Sequence, residues 1–420
     1  MNAPHDHRRL DNPAALRTQF NAVRARTMAL IAPLSAEDCS AQSMPDASPA
    51  KWHAAHTTWF FETFILEQFE ENFRSHHPAF RVLFNSYYNG VGDKHVRAQR
   101  GLLTRPSHAE VLAYRADVDA RVLTLLARHA DNAMDDAALA CAELIALGLQ
   151  HEQQHQELII TDIKHLLSMN PLKPAYGTLP PSGRVPIQPG TLQWLPFEAG
   201  VVMIGHDGDG FSFDNETPRH RQFVEGFELA SRLVTNGEYR AFIEDGGYVD
   251  PALWLSEGWD WVGAHCLSQP LYWHHDSEHG WQEFTLQGMQ RVDPDAALKH
   301  VSLFEADAYA RWAGARLPTE TEWESAAAAQ DSPQSAVLSQ LDDTCWQWTS
   351  SSYASYPGYA PQAGALGEYN GKFMVNQYVL RGGSGATPTG HSRITYRNFF
   401  PATARWQFSG IRLARSSTAA

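Results

Sequence analysis

Two histidines at helical spacing, His151 and His155 in the segment HEQQHQE, are the clearest candidates for metal chemistry in this sequence. Positions i and i+4 of a helix lie about 40° apart around its axis, so both imidazoles would share one face. Gly148, one turn earlier on that face, leaves room beside the two rings. A single buried histidine is more often a satisfied core residue, whereas a pair at this spacing favours a metal site.

The same segment contains the H-E-x-x-H pattern of zinc peptidases, in which the glutamate, here Glu152, is the general base. Those enzymes need a third ligand further along the chain. The form with glycine and histidine downstream fails, because Leu158 and Thr161 occupy those positions. The form with a distant glutamate fails too, because none occurs between Glu157 and Glu198. A peptidase is a minor alternative, and Glu152→Gln is expected to leave metal binding and turnover largely intact.

A third ligand is expected from another helix, since bundles commonly build metal sites from facing helices. In the segment WHAAH, His56 begins a four-residue repeat with Phe60 and Phe64, so His56 should face the core. His53 lies about 60° away on the same helix and is interpreted either as a residue behind the site or as a capped one. Three neutral imidazoles with open positions suit Fe²⁺ or Zn²⁺, and spacing alone does not choose between these ions.

The elements that must position these residues are predicted from periodicity and capping signals. Residues 1–172 contain four helical patterns, which predict an up-and-down four-helix bundle. The patterns cover residues 13–32, 48–69, 104–130 and 135–168. Ser48 is predicted to cap the second helix with Pro49 at its first position, and Ser107 with Glu110 forms a capping-box pattern at the third.

The remainder of the chain consists of two segments that differ in composition. Seven prolines between residues 171 and 196 argue against helix or central strand, so 173–197 is predicted to be an extended linker. From 198 to 420, glycines and aromatic residues interrupt short apolar runs, which predicts a loop-rich α+β domain with short strands. One helix is evident there, with Ser302 and Glu305 at capping-box spacing.

Composition argues against several classes of partner. The net charge of −14 disfavours nucleic acid and anionic membrane surfaces. No apolar run approaches the ~18 residues of a membrane span, and the N-terminal segment lacks the apolar core of a secretory signal. The four cysteines form no C-x-x-C pair, so neither a disulfide framework nor a thiolate zinc site is expected. A cytoplasmic protein is predicted.

Segments along the whole chain resemble one known family. SPAKWHAAHTTWFFETF, FNSYYNGVGDKHVRAQRGLLTRP and HEQQHQELI resemble the DinB-like N-terminal bundle of the ergothioneine-biosynthesis sulfoxide synthases. HVSLFEADAYARWAGARLPTETEWESAA, WQWTSSSY and TYRNFFPATARWQFSGIRLAR resemble the formylglycine-generating-enzyme (sulfatase-modifying-factor) domain, which has a C-type-lectin-like fold. The resemblance spans about residues 15 to 415, and the order of the two domains is itself specific.

The resemblance implies one Fe²⁺ held by His56, His151 and His155. It implies an O₂-dependent reaction that joins a thiol donor, cysteine or γ-glutamylcysteine, to C2 of the imidazole of hercynine and yields a sulfoxide. Selenoneine synthases resemble the same family and join hercynine to a selenosugar, so a C–Se bond former is the main alternative. A zinc-dependent hydrolase or thiol transferase and a non-catalytic binding module are the others.

The resemblance also implies roles around the iron. Tyr87 and Tyr88 are candidates to protonate or reduce the oxygen species, with packing aromatics as the alternative. Gln154, Asn398 and Phe399 match positions that line the hercynine pocket.

The donor pocket is less clearly specified. Arg97 and Arg100 are candidates to bind a donor carboxylate, with ordinary surface charges as the alternative. Relatives that use γ-glutamylcysteine carry R-N-W-D where this chain has R-N-F-F at 397–400, which leaves cysteine or another donor. Formylglycine-generating activity is not expected from the second domain, because Gly385 stands where a cysteine would and no cysteine follows Cys345.

Overall fold

The computed structural model of the protein describes residues 13–130, 136–177, 190–208, 210–331, 338–361, 367 and 370–417. These residues form two compact units. The first contains the described residues up to Met169 together with 208, 210–212 and 367, and the second contains the rest from Asn170 onwards. No helix in these ranges is both long enough and apolar enough to cross a membrane.

Four long helices, as predicted, make up most of the first unit. They are α1 Pro13–Ile31, α2 Ala50–Phe61, α3 His108–Ala130 and α4 Asp136–Met169. A π-turn at Glu62–Leu66 and a short turn at Glu67–Phe69 continue α2. Two further turns, Phe80–Leu83 and Arg97–Leu102, lie in the connection from α2 to α3. Helices α1 and α2 each pack against both α3 and α4, so the core lies among all four.

The helix starts agree only partly with prediction. The α3 capping box is confirmed, since the Ser107 N–H donates to Glu110 Oε2 at 2.6 Å and the Glu110 N–H donates to Ser107 Oγ at 3.2 Å. The predicted cap of α2 is wrong by one residue, because Pro49 occupies the cap position. Ser48 instead donates its N–H to Asp162 Oδ2 at 2.8 Å, which fastens the start of α2 to α4.

At Gly148, α4 packs closely against the aromatic side chains of α2. A Cβ built there would lie 2.9 Å from Phe61 Cε1 and 3.2 Å from Phe60 Cδ1. The room that glycine leaves is therefore filled by the aromatic rings of α2, and Phe60 in turn lies 4.8 Å from the His151 ring, centroid to centroid.

Gly148→Ala is expected to destabilise the bundle by about 1–3 kcal/mol, because the added methyl overpacks this contact. The change in unfolding free energy measures it. Gly263→Ala is the matched control, since Gly263 is helical and exposed with nothing within 4 Å of a built Cβ. At Gly263, the higher helix propensity of alanine should increase the free energy of unfolding by up to about 1 kcal/mol. Equal effects at both glycines would contradict the packing argument.

The second unit combines short strands with short helices, as predicted for an α+β domain. Its helices of nine or ten residues are α5 Asn236–Glu244, α6 Ser256–His265, α7 Leu303–Trp312 and α8 Glu320–Ala328. Its strands are β1 Trp194–Phe197, β2 Gly200–Ile204, β3 His220–Val224, β4 Phe227–Ala230, β5 Trp273–Asp276, β6 Gly280–Thr285, β7 Gly288–Arg291, β8 Trp346–Ser352, β9 Tyr378–Arg381, β10 Asn398–Phe400, β11 Ser409–Gly410 and β12 Ala414–Ser416. The capping box of α7 is confirmed, whereas α5, α6 and α8 were not predicted.

These strands form four small sheets with the orders β1-β4-β12, β10-β9-β8-β11, β2-β3 and β5-β6-β7. All pairs are antiparallel except β8 with β11. The predicted linker is wrong at its end, because 194–197 form β1. Pro196 is tolerated there since β1 is an edge strand. Residues 178–189 of that linker lie outside the described ranges.

Buried ion pairs fix the strand that carries two of the predicted pocket residues. Arg397, directly before β10, is 2% exposed, and its guanidinium donates to both oxygens of Glu320 on α8, at 2.9 and 3.0 Å. Arg381 on β9 pairs with Glu324, one turn further along α8. Because β9 and β10 are hydrogen-bonded neighbours, both strands are held against one helix.

Candidate metal centre

Helices α2 and α4 bring three imidazoles together in the core of the first unit. His56 comes from α2, and His151 and His155 come from α4. Each offers a ring nitrogen, and these nitrogens all lie within 4.8 Å of one another. All three side chains are buried. That separation allows one ion to be shared after small side-chain rotations.

His56 shows most directly that the cluster fits a metal. Its Nδ1 lies 2.6 Å from the carbonyl oxygen of Phe84. A carbonyl only accepts hydrogen bonds, so Nδ1 carries the proton and Nε2 carries a lone pair. That Nε2 is buried and has no hydrogen-bond partner in the described ranges of the chain. A buried polar atom left unpaired costs about 1–3 kcal/mol, a cost that a coordinated ion removes.

The three rings are also in the protonation state that metal ligands require. Burial, reinforced by the neighbouring His151, lowers the pKa of His56 well below its usual value. Burial likewise lowers the pKa of His151 to about 3 and that of His155 well below its ordinary range. All three imidazoles are therefore neutral at pH 7 and offer lone pairs without first losing a proton.

An aromatic wall surrounds His56 and His151. The Trp52 ring stacks on His56 with centroids 4.6 Å apart, and Trp59 stacks on His56 at 5.5 Å. Phe60 covers His151 at 4.8 Å. These rings remove water from one side of the cluster, which strengthens electrostatic interactions inside it.

Glu152 is the centre of a buried ion network that joins α1, α3 and α4. Arg24 on α1 donates to Oε2 at 2.8 Å, Thr27 donates to Oε1 at 2.5 Å, and Arg115 on α3 pairs with Oε1. Burial alone would raise the pKa of Glu152, but Arg115 and Arg24 outweigh it and lower that pKa to about 2. With both oxygens engaged by α1 and α3, this carboxylate is not placed as the base of a peptidase.

The tyrosine pair follows the turn after Phe80–Leu83. Tyr88 is fully buried, with ring centroids 5.6 Å from Trp59 and 5.1 Å from Phe64. Tyr87 is half-buried, stacks on Tyr88 at 4.8 Å, and has its phenol pKa raised by burial. Asn85 holds the turn by accepting the Tyr88 N–H at 3.1 Å. Tyr88 thus contacts the rings of Trp59 and Phe60, which in turn contact His56 and His151.

The two arginine candidates lie on the same turn in different surroundings. Arg97 is exposed, and its guanidinium donates to the carbonyl of Asp46. Arg100 is 3% exposed and lies 3.3 Å over the Trp52 ring. It donates to Ser48 Oγ at 2.8 Å and to Ser86 Oγ at 2.9 Å. Among the described residues no carboxylate hydrogen-bonds to Arg100, so this buried cation is suited to an anionic group.

The remaining predicted pocket residues are divided between the units. Gln154 is half-buried on α4, one residue before His155. Asn398 and Phe399 lie on β10 of the second unit. Phe399 stacks on Tyr353 with centroids 4.1 Å apart and on Phe373 at 5.9 Å. Tyr353 and Phe373 were not predicted, although Tyr353 ends the conspicuous segment WQWTSSSY.

His53, which the sequence left open, lies directly behind His155. Its Nδ1 is 2.8 Å from His155 Nδ1, and its Nε2 is 3.0 Å from Asp162 Oδ2. Sequence reasoning missed Asp162, which is on α4 seven residues after His155. The spacing of seven places it on the same side of the helix, which is the one signal that could have identified it.

Known proteins resemble the chain over both units. The DinB superfamily model matches residues 19–159, and the sulfatase-modifying factor enzyme 1-like domain model matches residues 184–343. Hercynine oxygenase of Mycolicibacterium thermoresistibile is 32% identical over 96% of this chain and 94% of its own length. Hercynine oxygenase of Mycobacterium tuberculosis is 30% identical over 96% of this chain and 99% of its own length.

A more distant relative is the ergothioneine biosynthesis protein 1 of Schizosaccharomyces pombe, which is 26% identical over 49% of this chain and 28% of its own length. The near-complete coverage of the two hercynine oxygenases includes both units and the segment between them. The predicted fold class, a DinB-like bundle followed by a formylglycine-generating-enzyme-like domain, is thereby confirmed. The chain belongs to the hercynine oxygenase family.

Proposed function

We propose that this protein is a non-haem iron(II) enzyme of ergothioneine biosynthesis. It uses O₂ to join the sulfur of a thiol donor to C2 of the hercynine imidazole. The observation that carries the proposal is the buried cluster of His56, His151 and His155, with the lone pair of His56 Nε2 left unpaired. The substrate comes from the named relatives, which match the chain over nearly its full length.

The overall reaction balances as thiol plus hercynine plus O₂ giving sulfoxide plus water. The thiol S–H and the imidazole C2–H bonds break, a C–S bond and an S=O bond form, and the two hydrogens leave in water with one oxygen atom. Carbon and sulfur together lose the four electrons that O₂ gains. Bound Fe²⁺ would supply this redox chemistry, which Zn²⁺ lacks.

The chain's own residues would exclude water and hold the substrates. Three neutral ligands leave positive charge and open positions for substrate groups. Gln154, Asn398 and Phe399 are proposed as hercynine contacts, since amides bind a carboxylate and an aromatic face binds a quaternary ammonium. Tyr87 or Tyr88 is proposed as the proton source.

Arg100→Met is expected to raise the KM for a carboxylate-bearing donor at least about tenfold, because it removes one charge-assisted hydrogen bond. The KM for hercynine and the iron content should change little. Steady-state kinetics with cysteine as donor measures this. Arg81→Met is the control, since Arg81 is exposed and pairs only with the exposed Glu67 in the described structure. An unchanged cysteine KM in Arg100→Met would remove Arg100 from the donor site.

The test of the function is anaerobic loading with Fe²⁺, followed by air, hercynine and a panel of cysteine, γ-glutamylcysteine and a selenosugar. The expected result is O₂ uptake that requires both substrates, with a product mass equal to both substrates plus O₂ minus H₂O. Selective turnover of the selenosugar would identify the C–Se alternative. A protein that retains zinc, takes up no O₂ and hydrolyses or transfers a thiol would overturn the proposal.

A further inference from the structure

A chain of hydrogen bonds extends outward from one of the three clustered histidines. His155 Nδ1 lies 2.8 Å from His53 Nδ1, and His53 Nε2 lies 3.0 Å from Asp162 Oδ2. The three side chains are 8%, 2% and 6% exposed, so water does not compete for these bonds. Asp162 Oδ2 also accepts the backbone N–H of Ser48 at 2.8 Å.

The direction of this chain follows from its acidic end. Because Asp162 Oδ2 accepts the Ser48 N–H, it is an acceptor for His53 as well, so His53 Nε2 carries a proton. In a neutral His53 ring, Nδ1 is then an acceptor, and it accepts the Nδ1–H of His155. The lone pair of His155 is therefore on Nε2, and this is the tautomer in which Nε2 can bind an ion while Nδ1 is engaged.

We propose that Asp162 and His53 are positioning residues that fix the tautomer of His155 and strengthen the electron donation of its Nε2. The inference rests on the proposed metal centre. His56, in the same cluster, has a different outer partner, because its Nδ1 donates to the neutral carbonyl of Phe84. A buried carboxylate acting through an imidazole polarises a ligand more than a carbonyl does, so we expect His155 to be a stronger electron donor than His56.

We define the relay as Asp162, His53 and His155. Conservative substitutions can separate its electrostatic effect on metal binding from the effect of side-chain packing. Asp162→Asn keeps the size of the side chain, and its amide oxygen can still accept from His53 and from Ser48. Only the negative charge is lost. His53→Asn places a side-chain oxygen near the former Nδ1, so His155 keeps an acceptor while its connection to Asp162 is cut.

The experiment measures Co²⁺ affinity and the visible absorption of bound Co²⁺ in full-length protein, without hercynine and without turnover. Asp162→Asn is expected to weaken Co²⁺ binding about 10–100-fold and to shift the absorption. His53→Asn should do the same. The double variant should be no weaker than His53→Asn alone, because both residues act through one path. Thermal unfolding of the metal-free variants separates affinity from folding.

Asp117→Asn is the matched control. Asp117 Oδ2 pairs with His76 Nδ1 at 2.9 Å on the exposed surface of the same unit, so the identical substitution removes an Asp–His pair outside the cluster. Its Co²⁺ affinity should equal that of the unaltered protein. Wild-type affinity in a folded Asp162→Asn protein, or independent and additive effects of the two relay substitutions, would overturn the proposal. If Asp162→Asn does not fold, wild-type affinity in His53→Asn overturns it.

This test also separates the relay from the proposed function. Loss of Co²⁺ affinity in the relay variants of a protein that never oxidises hercynine would contradict the function and support the relay. Hercynine oxidation by the unaltered protein, together with unchanged Co²⁺ affinity in those variants, would support the function and contradict the relay.

Discussion

Replacing His56, His151 or His155 by alanine is expected to abolish both iron binding and O₂-dependent turnover. Each substitution removes one of three ligands from a buried site in which the described structure offers no carboxylate or thiolate as a substitute. The loss in affinity should exceed the roughly 100-fold upper range seen when only an outer partner of a ligand is removed. Iron per chain after anaerobic loading and gel filtration, with O₂ uptake on the same sample, measures both effects.

The control for these variants is His165→Ala on the same helix. His165 is half-buried and lies 2.7 Å from Ser43 Oγ through its Nδ1, away from the three clustered rings. It should retain a full complement of iron and normal O₂ uptake. A His56, His151 or His155 variant that keeps iron and turnover at the control level would remove that histidine from the ligand set.

Glu152→Gln is expected to reduce the stability of the first unit by about 3–5 kcal/mol, because it leaves Arg24 and Arg115 buried without their shared carboxylate. The expectation from the sequence concerned metal binding and turnover only, and the buried ion network adds a loss of stability to it. The unfolding transition of the bundle, followed by denaturant titration, measures the loss. Iron affinity of the folded fraction should stay close to that of the unaltered protein.

Glu143→Gln, on the exposed side of α4, is the matched control and should leave stability unchanged. The two roles of Glu152 predict opposite results. A structural role gives a less stable protein that still binds iron and turns over at low temperature. A fully stable, iron-loaded and inactive Glu152→Gln protein would instead restore the general-base interpretation of the H-E-x-x-H pattern.

The cluster of His56, His151 and His155 was predictable because its signals are local. His151 and His155 share a helical face through a spacing of four, and His56 falls on the apolar face of its own helix for the same reason. The role of Glu152 was not predictable, because it depends on Arg24 and Arg115, which are 128 and 37 residues away in the sequence. His53 depends in the same way on Asp162, 109 residues away.

Short helices of the second unit were missed although their starts are encoded. Thr235 with Glu238 and Thr319 with Glu322 form complete capping boxes at the starts of α5 and α8. Each helix has only nine residues, which is too short for a helical period to stand out from the surrounding loops. Capping signals carry more information than periodicity in such a domain.

Strand β1 lies where the sequence predicted a linker. The density of prolines predicted an extended linker through residue 197. Proline cannot donate a backbone hydrogen bond, but an edge strand pairs on one side only and so tolerates proline better than a central strand does. Pro196 therefore pairs with Glu228 of β4 without disrupting the sheet. Whether a proline-rich segment joins a sheet depends on which edge is open, and this is a property of the folded domain.

The central claim, that one ferrous ion is shared by histidines from α2 and α4, is tested most directly by anomalous diffraction at the iron edge from crystals loaded with Fe²⁺ under argon. The predicted result is one strong peak about 2.1 Å from a ring nitrogen of each of His56, His151 and His155. For His56 and His155 that nitrogen should be Nε2, since Nδ1 is already engaged. A peak elsewhere in the chain, or one that touches fewer than three of these rings, would contradict the account.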